Sequence, residues 1–394
     1  MTCCGFLRVR LAVLLQCVFC LVGCGLLSNT DPQPIDIAKS RNARGDDLQS
    51  AADELLRPFV DRADTPGIVA GVLLPDGRVR FFGYGVTAQN GGVIPDGDTL
   101  FAIGSLSKGF LAGALAVLAD EGIIKWNDTI SGLAPSATKL SSDAKKITLL
   151  QLATHTSGMP RQPFDLRTMA LFVRYLFTGE SFYEHLSRDY VMDYLATFRS
   201  DHRSGLQYSN IAYGVLGHML SLRTGQSAEA LVEQRVIRPL GLRCTGYAPE
   251  QLPCYATRAL GYAGDQPRFI GRGNPTPDWQ FNDLMRASAG LYSTARDLLT
   301  MASAHLNNGG YPIHSALAGN VRGRSLSASE VAGVAWTIKE LDGRMIAYQV
   351  GFVAGYSSYI GVDIWNRTAV VILQNSFNWD LRVGHLLLLR AGDW

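Results

Sequence analysis

FAIGSLSKGFLAGALAVLADE, residues 101–121, is the stretch on which the reading of this chain turns. A short apolar run ends at Gly104, and apolar residues recurring at Leu111, Leu115 and Leu118 predict an amphipathic helix behind it. Ser105 and Lys108 stand at the opening of that helix. Residues three apart on a helix share a face, so the Lys108 ammonium would lie beside the Ser105 hydroxyl. A serine hydroxyl is a weak nucleophile until a base lies next to it. A lysine whose surroundings depress its pKa can be that base. The helix N-terminus adds unpaired N–H groups suited to a developing oxyanion. The bland alternative is an ordinary N-cap serine.

Serine and lysine at this spacing occur three times in the chain. Ser136–Lys139 and Ser142–Lys145 both fall in LAPSATKLSSDAKK, residues 133–146, a Pro/Ser/Lys-rich stretch that reads as a solvated loop. Only Ser105 has an apolar approach and a long helix behind it.

On the N-terminal side, Leu48–Val60 has helical spacing. Ile68–Thr87 reads as a β-hairpin around the turn Pro75-Asp76-Gly77. Gly83–Ala88 matches a dinucleotide fingerprint superficially, but no βαβ context follows it, and that reading is rejected. On the C-terminal side helices dominate to about Asn307: Ile147–Thr156, one through Tyr213, Leu216 and Leu220, Ala228–Ile237, and one capped at Ser293 or Thr294. Strand character returns at Val334–Lys339, Arg344–Gln349, Tyr356–Asp363 and Ala369–Gln374, with turns at Asp342-Gly343 and Asn366-Arg367. A closing helix is expected from Trp379 to Arg390. Strands at both ends with helices between them predict an α+β fold whose antiparallel sheet is assembled from the two ends of the chain, flanked by helices. The expected division is a sheet lobe, 48–104 and 325–394, and an inserted helical lobe, 105–324.

Tyr208-Ser209-Asn210 is the only Y-x-N in the chain and sits at a loop-to-helix junction. A tyrosine beside a lysine can carry the serine proton to a leaving group, and Asn210 can hold a substrate carbonyl. Alone, the tripeptide says little. Together Ser105, Lys108, Tyr208 and Asn210 resemble the serine β-lactamase/penicillin-binding superfamily, on its class C branch. LLQLATHTSGMPR (149–161), GLQYSNIAYGVLGHML (205–220), RPLGL (238–242) and SAGLYSTARDL (288–298) extend the likeness through most of residues 50–376. In pattern it runs nearest to D-alanyl-D-alanine carboxypeptidase/endopeptidases of that branch.

The third motif departs. The family has Lys-Thr-Gly or His-x-Gly on a strand bordering the cleft, and this chain has Gln349-Val350-Gly351. The resemblance places Gln349, Gly351 and Phe352 at the substrate, with the Phe352 N–H as second oxyanion donor beside that of Ser105. Gln349 brings no charge. A lost charged hydrogen bond costs about 1.5–3 kcal/mol, which weakens the case for carboxylate-bearing substrates and strengthens that for esters or amides. His155 in HTSG reads as a structural loop histidine. The remaining histidines form no H-E-x-x-H pair, and no G-x-S-x-G elbow exists. Aromatic residues in Phe172–Tyr183 read as core before groove.

The chain has 394 residues, 47% hydrophobic and 18% charged, and a formal charge of +2. That is a globular composition with no sign of nucleic-acid binding. Arg8 and Arg10 precede an apolar run, Leu11–Gly23, too short to span a bilayer and fitting a signal peptide over residues 1–23. Leu21-Val22-Gly23-Cys24 resembles the bacterial lipobox. In that family the cysteine is acylated and anchors the protein at a membrane surface. A soluble secreted protein or an uncleaved anchor are the alternatives. Gly25 rather than Asp implies, by the same resemblance, the outer membrane, with residues 24–47 as a tether. Cys244 and Cys254 are the two cysteines left in the folded part. An oxidising compartment suggests a disulfide between them, with two free thiols as the alternative.

The expected function is an acyl-enzyme hydrolase acting on peptidoglycan peptides, without metal or cofactor. An esterase or β-lactamase on the same scaffold is the enzymatic alternative. A degenerate muropeptide- or penicillin-binding protein is the non-enzymatic one.

Overall fold

The computed structural model describes residues 48–200, 205–307, 310–325, 331–380 and 382–392. The expected signal peptide, the tether and Cys24 lie outside the described residues. The elements that position the site are, in chain order, α1 (Leu48–Asp61), β1 (Gly67–Leu73), β2 (Val79–Gly85) and β3 (Phe101–Ala102). There follow α2 (Ser107–Asp120), α3 (Leu149–Ala153), α4 (Leu166–Thr178), α5 (Asn210–Thr224), α6 (Asp283–Ala289), β4 (Tyr292–Ser293) and α7 (Ala295–His305). The chain closes with β5 (Arg324–Ser325), β6 (Val331–Ala332), β7 (Thr337–Leu341), β8 (Arg344–Val353), β9 (Tyr356–Asp363), β10 (Thr368–Gln374) and α8 (Arg382–Ala391).

The main sheet is antiparallel, with the order β2-β1-β10-β9-β8-β7-β6-β5. Its join is the pairing of β1 with β10, in the register Ile68↔Gln374 to Leu73↔Ala369. The sheet is thus built from both ends of the chain, as the sequence predicts. Every residue of β1, β9 and β10 is buried rather than every second one. The reason is that both faces are covered. Ala70, Ile372 and Tyr359 share one row and face α8, where Gly384 lets the Tyr359 ring approach. Gly71, one residue on, faces Leu299 of α7 on the other side.

Four differences from the sequence reading have local causes. First, α2 is not amphipathic: Ser107–Leu118 are all buried, so the helix runs through the interior instead of lying on it. Second, α3 is shorter than Ile147–Thr156. A capping box sets its start, with Gln151 N donating to Thr148 Oγ1 at 3.2 Å and Thr148 N to Gln151 Oε1 at 3.0 Å. His155, at φ +58°, stops its continuation. Third, Ser142–Lys146 is a one-turn helix capped by Ser141, not loop. Both extra Ser/Lys pairs nevertheless stay on the surface, with Ser136, Lys139, Ser142 and Lys145 exposed. Fourth, β8 runs on past Gln349 to Val353.

A disulfide joins Cys244 to Cys254, with Cα atoms 5.7 Å apart. It closes a loop spanning ten residues of sequence separation. Chain-entropy arguments give such a loop about 2–3 kcal/mol. A Cys244→Ser/Cys254→Ser variant is expected to lose about that much unfolding free energy, read as a lower denaturant midpoint, and an unchanged midpoint would contradict it. Among the described residues, no helix is long and apolar enough to cross a membrane.

Candidate active site

Ser105 lies in a 3₁₀ turn, Gly104–Leu106, that feeds directly into α2. Gly104 adopts φ +52°, and a Cβ there would sit 3.0 Å from the N, C and O atoms of Phe352. Only glycine allows this approach, and it lays the Phe352 main chain beside the residue preceding the nucleophile. The turn is locked from within: Ser107 Oγ donates to Gly104 O at 2.7 Å and accepts from Leu291 N at 3.1 Å. Ser105 is not a capping serine, since the residue capping α2 is Leu106 and makes no side-chain cap bond.

Lys108 is 2% exposed. Its Nζ donates to Ser105 Oγ at 3.1 Å and to Ser288 O, at the end of α6, at 3.2 Å. Burial pulls its pKa below the ordinary value, and the Arg161 charge pulls the same way against the opposing pull of Tyr208. A buried amine of this kind gives up its proton more readily than a surface lysine, which is what a base for Ser105 requires.

Tyr208 completes the group. Its ring lies 5.3 Å from Lys108 Nζ, and the Arg161 guanidinium lies 5.0 Å over it. The residue as a whole is 39% exposed, while its hydroxyl is turned inward to Ser105 and Lys108. Burial of the phenol pushes its pKa up. The Lys108 and Arg161 charges, with hydrogen bonding to Ser105 and Lys108, more than offset that, and the net shift is downward.

A loop more than fifty residues upstream holds Tyr208 in place. Ser209 N donates to His155 Nδ1 at 3.1 Å, and Gln207 N to His155 O at 2.8 Å. Ser209 Oγ donates to Pro160 O at 2.7 Å and accepts from Ala212 N at 3.0 Å, capping α5. The His155 ring packs 4.4 Å from that of Tyr208. Burial, with the charges of Lys108 and Arg161, drives the His155 pKa down to about 3, so the imidazole is neutral. It serves as an acceptor that fixes Tyr208, in keeping with its reading as a structural residue.

Asn210, the first residue of α5, is 7% exposed and donates through Nδ2 to Tyr183 Oη at 2.8 Å. On β8, Gln349 and Gly351 share the face toward α2. A Cβ on Gly109 would meet the Gln349 amide at 2.6 Å, so this side chain lies along α2, 6% exposed, one residue from Lys108. A Cβ on Gly351 would sit 2.2 Å from Ile103 O, and Ser358 Oγ donates to that same carbonyl at 2.9 Å. Phe352 turns its side chain to the opposite face, against Phe377 and Trp379. It therefore offers the Ser105 turn its main chain alone. Beside the turn, Ala102, Trp279, Phe281, Gly290, Val353 and Tyr356 among others line a small surface cleft. Of the aromatic residues in Phe172–Tyr183, Tyr175 and Phe182 are core. Tyr183 instead reaches the site through Asn210.

The structure thus brings Ser105, Lys108 and Tyr208 together, with Asn210, Gln349, Gly351 and the Phe352 main chain around them. Sequence reasoning missed Arg161 and the Ser288 carbonyl. Both lie inside segments that carry the family likeness, and no local rule assigns them a role. Among the described residues, no group of three or more His, Cys, Asp or Glu side chains could hold a metal ion. Tyr208→Phe is expected to lower kcat by about 10²- to 10⁴-fold with KM little changed, because it removes a proton carrier and leaves the ring packing intact. Steady-state kinetics on an ester substrate check this, and an unchanged kcat would remove Tyr208 from the mechanism.

A nucleophile–lysine pair on a buried helix, faced by a tyrosine, beside a two-ended antiparallel sheet, has clear relatives. The chain belongs to the beta-lactamase family, whose model matches residues 52–392. Among individual proteins it is 30% identical over 245 residues to the D-alanyl-D-alanine-carboxypeptidase/endopeptidase AmpH of Escherichia coli K12. That match covers 60% of this chain and 57% of AmpH, so little more than half of the relative's length is spanned. A class C beta-lactamase from Rhodobacter sphaeroides shares the fold, with a TM-score of 0.71 at 23% identity, covering 87% of this chain and 98% of the other. D-alanine carboxypeptidase AmpC from Burkholderia cenocepacia does so too, with a TM-score of 0.71 at 22% identity, covering 88% of this chain and 99% of that one.

Proposed function

We propose that this protein is a serine hydrolase working through an acyl-enzyme. The observation that carries the reading is the 3.1 Å contact between Lys108 Nζ and Ser105 Oγ, made by a lysine buried away from water. Ser105 Oγ attacks a carbonyl carbon while its proton passes to Lys108 or Tyr208. The oxyanion is held by the main-chain amides of Ser105 and Phe352. The proton goes on to the leaving group, which departs, and water then cleaves the ester and regenerates Ser105. The favoured substrates are peptidoglycan peptides ending in, or crosslinked through, D-alanine, the class named in the AmpH relative. One feature supports a second reading. The uncharged Gln349 amide stands where the family carries a cation, which favours neutral esters or amides over carboxylate-bearing peptides.

Export to the periplasmic face of a bacterial membrane, anchored through Cys24, belongs to the same proposal. The Cys244–Cys254 disulfide supports an oxidising compartment.

Incubation with a fluorescent penicillin, then intact-protein and peptide mass measurement, tests the mechanism. A stoichiometric adduct on the peptide holding Ser105 is expected. Muropeptide digests and p-nitrophenyl esters, read for products, separate the two substrate classes. No adduct and no turnover of any of these would leave only a binding role.

A further inference from the structure

Loop 155–161 does more than hold Tyr208, because it ends in a cation laid on that ring. Arg161 accepts through its own carbonyl from Asn210 N at 3.0 Å and from Ile211 N at 3.4 Å. The residue is therefore tied by its main chain to the first turn of α5, immediately after Tyr208. Its guanidinium lies 5.0 Å over the Tyr208 ring, against 5.3 Å for Lys108 Nζ. The phenol is thus flanked by two cations of different character. Lys108 can lose its charge, and must do so if it is to take a proton from Ser105. A guanidinium keeps its charge at every working pH. Gln349, the third-motif residue packed against Gly109 of α2, is neutral. When Lys108 is uncharged, Arg161 is the cation left facing the phenol.

We propose that Arg161 is a positioning residue for the Ser105 chemistry, its guanidinium supplying the permanent positive charge that favours the Tyr208 phenolate as acceptor of the serine proton. The inference rests on the acyl-enzyme reading above. The groups facing Tyr208 are Ser105 and Lys108 from the turn and α2, and Arg161 and His155 from the loop. Among the described residues, Tyr213 on α5 and Tyr183 after α4 complete the set. His155 is neutral above about pH 3, and burial holds both tyrosines in their protonated forms, Tyr183 up to about 12. Among the described residues, Lys108 and Arg161 are thus the charges that set the phenol. Both the Tyr208 and Lys108 shifts carry an Arg161 contribution of the sign the proposal needs.

The sign is definite. Removing Arg161 destabilises the phenolate, so the basic form is reached only at higher pH. The test is kcat/KM against pH for a neutral p-nitrophenyl ester, in the wild type, Arg161→Met and Arg161→Lys. A neutral ester prevents a lost contact to a substrate carboxylate from mimicking the effect. In Arg161→Met the acid limb is expected to move to higher pH. Activity at neutral pH then falls by about tenfold or more, on the scale of one charge at this range, and recovers as pH rises, with KM little changed. Arg161→Lys is expected to keep most of the wild-type profile. If Met disturbs the loop, as seen in the melting temperature, Arg161→Gln removes the same charge and the same limb is read from it. An acid limb that coincides with wild type, or an equal loss at every pH, overturns the proposal. A wild-type protein that turns over no ester and takes no penicillin label overturns the acyl-enzyme reading instead, which distinguishes the two failures.

Discussion

Ser105→Ala is expected to abolish the penicillin adduct and to lower ester or peptide turnover by at least about 10⁴-fold. The scale is that of removing a nucleophile whose partners act only through it. Folding should be spared. The turn is held by Gly104, by Ser107 and by the Leu291 amide, not by the Ser105 hydroxyl. The loss would leave Lys108, Tyr208 and Asn210 in place, so substrate binding should survive where turnover does not. Residual labelling at another serine would redirect the assignment. The two other Ser/Lys pairs are the obvious places to look, and both are exposed.

Lys108→Met is the second large effect, and it should separate function from stability. The amine is 2% exposed and held by one hydroxyl and one carbonyl, and no carboxylate among the described residues pairs with it. Such a buried amine is costly to the fold, and an unbranched apolar side chain of similar length fills its place at no such cost. The variant should lose about 10²- to 10⁴-fold in kcat while melting at or above the wild-type temperature. The pH dependence of stability gives a sharper check. The folded pKa of Lys108 lies below its ordinary 10.5. Between that lowered value and 10.5, the unfolded chain carries a proton that the folded chain has shed. Wild-type stability therefore rises with pH through that window, and is unaffected by this group below it. Lys108→Met should lack that rise. A variant that melts well below wild type would show that the amine holds the cleft together.

The Ser105/Lys108 pair was legible because it obeys a local rule, three residues along one turn. The two-ended sheet was legible because strand periodicity reappears only at the extremes of the chain. Helix α2 was read as amphipathic from Leu111, Leu115 and Leu118. Yet the glycines and alanines between them have no polar side chain to show to water, and that is the pattern of a helix enclosed on all sides. The end of β8 was missed because Gly351 and the Ala354-Gly355 turn interrupt the alternation on which strand reading depends. Arg161 and His155 were illegible as parts of the site. Their effect on Tyr208 arises only when a loop folds across a helix start some fifty residues away, and spacing encodes no such closure.

The β1–β10 seam has a consequence for how the protein comes into being. The hairpin leaves the ribosome nearly three hundred residues before the strand that must lie against it. Until that partner appears, β1 presents a bare apolar edge of the kind that recruits other chains. A product cut short ahead of Thr368 would hold every side chain of the Ser105–Lys108–Tyr208 group and still lack the strand that joins the two parts of the sheet. Hydrolysis would then report synthesis carried through to its final strand.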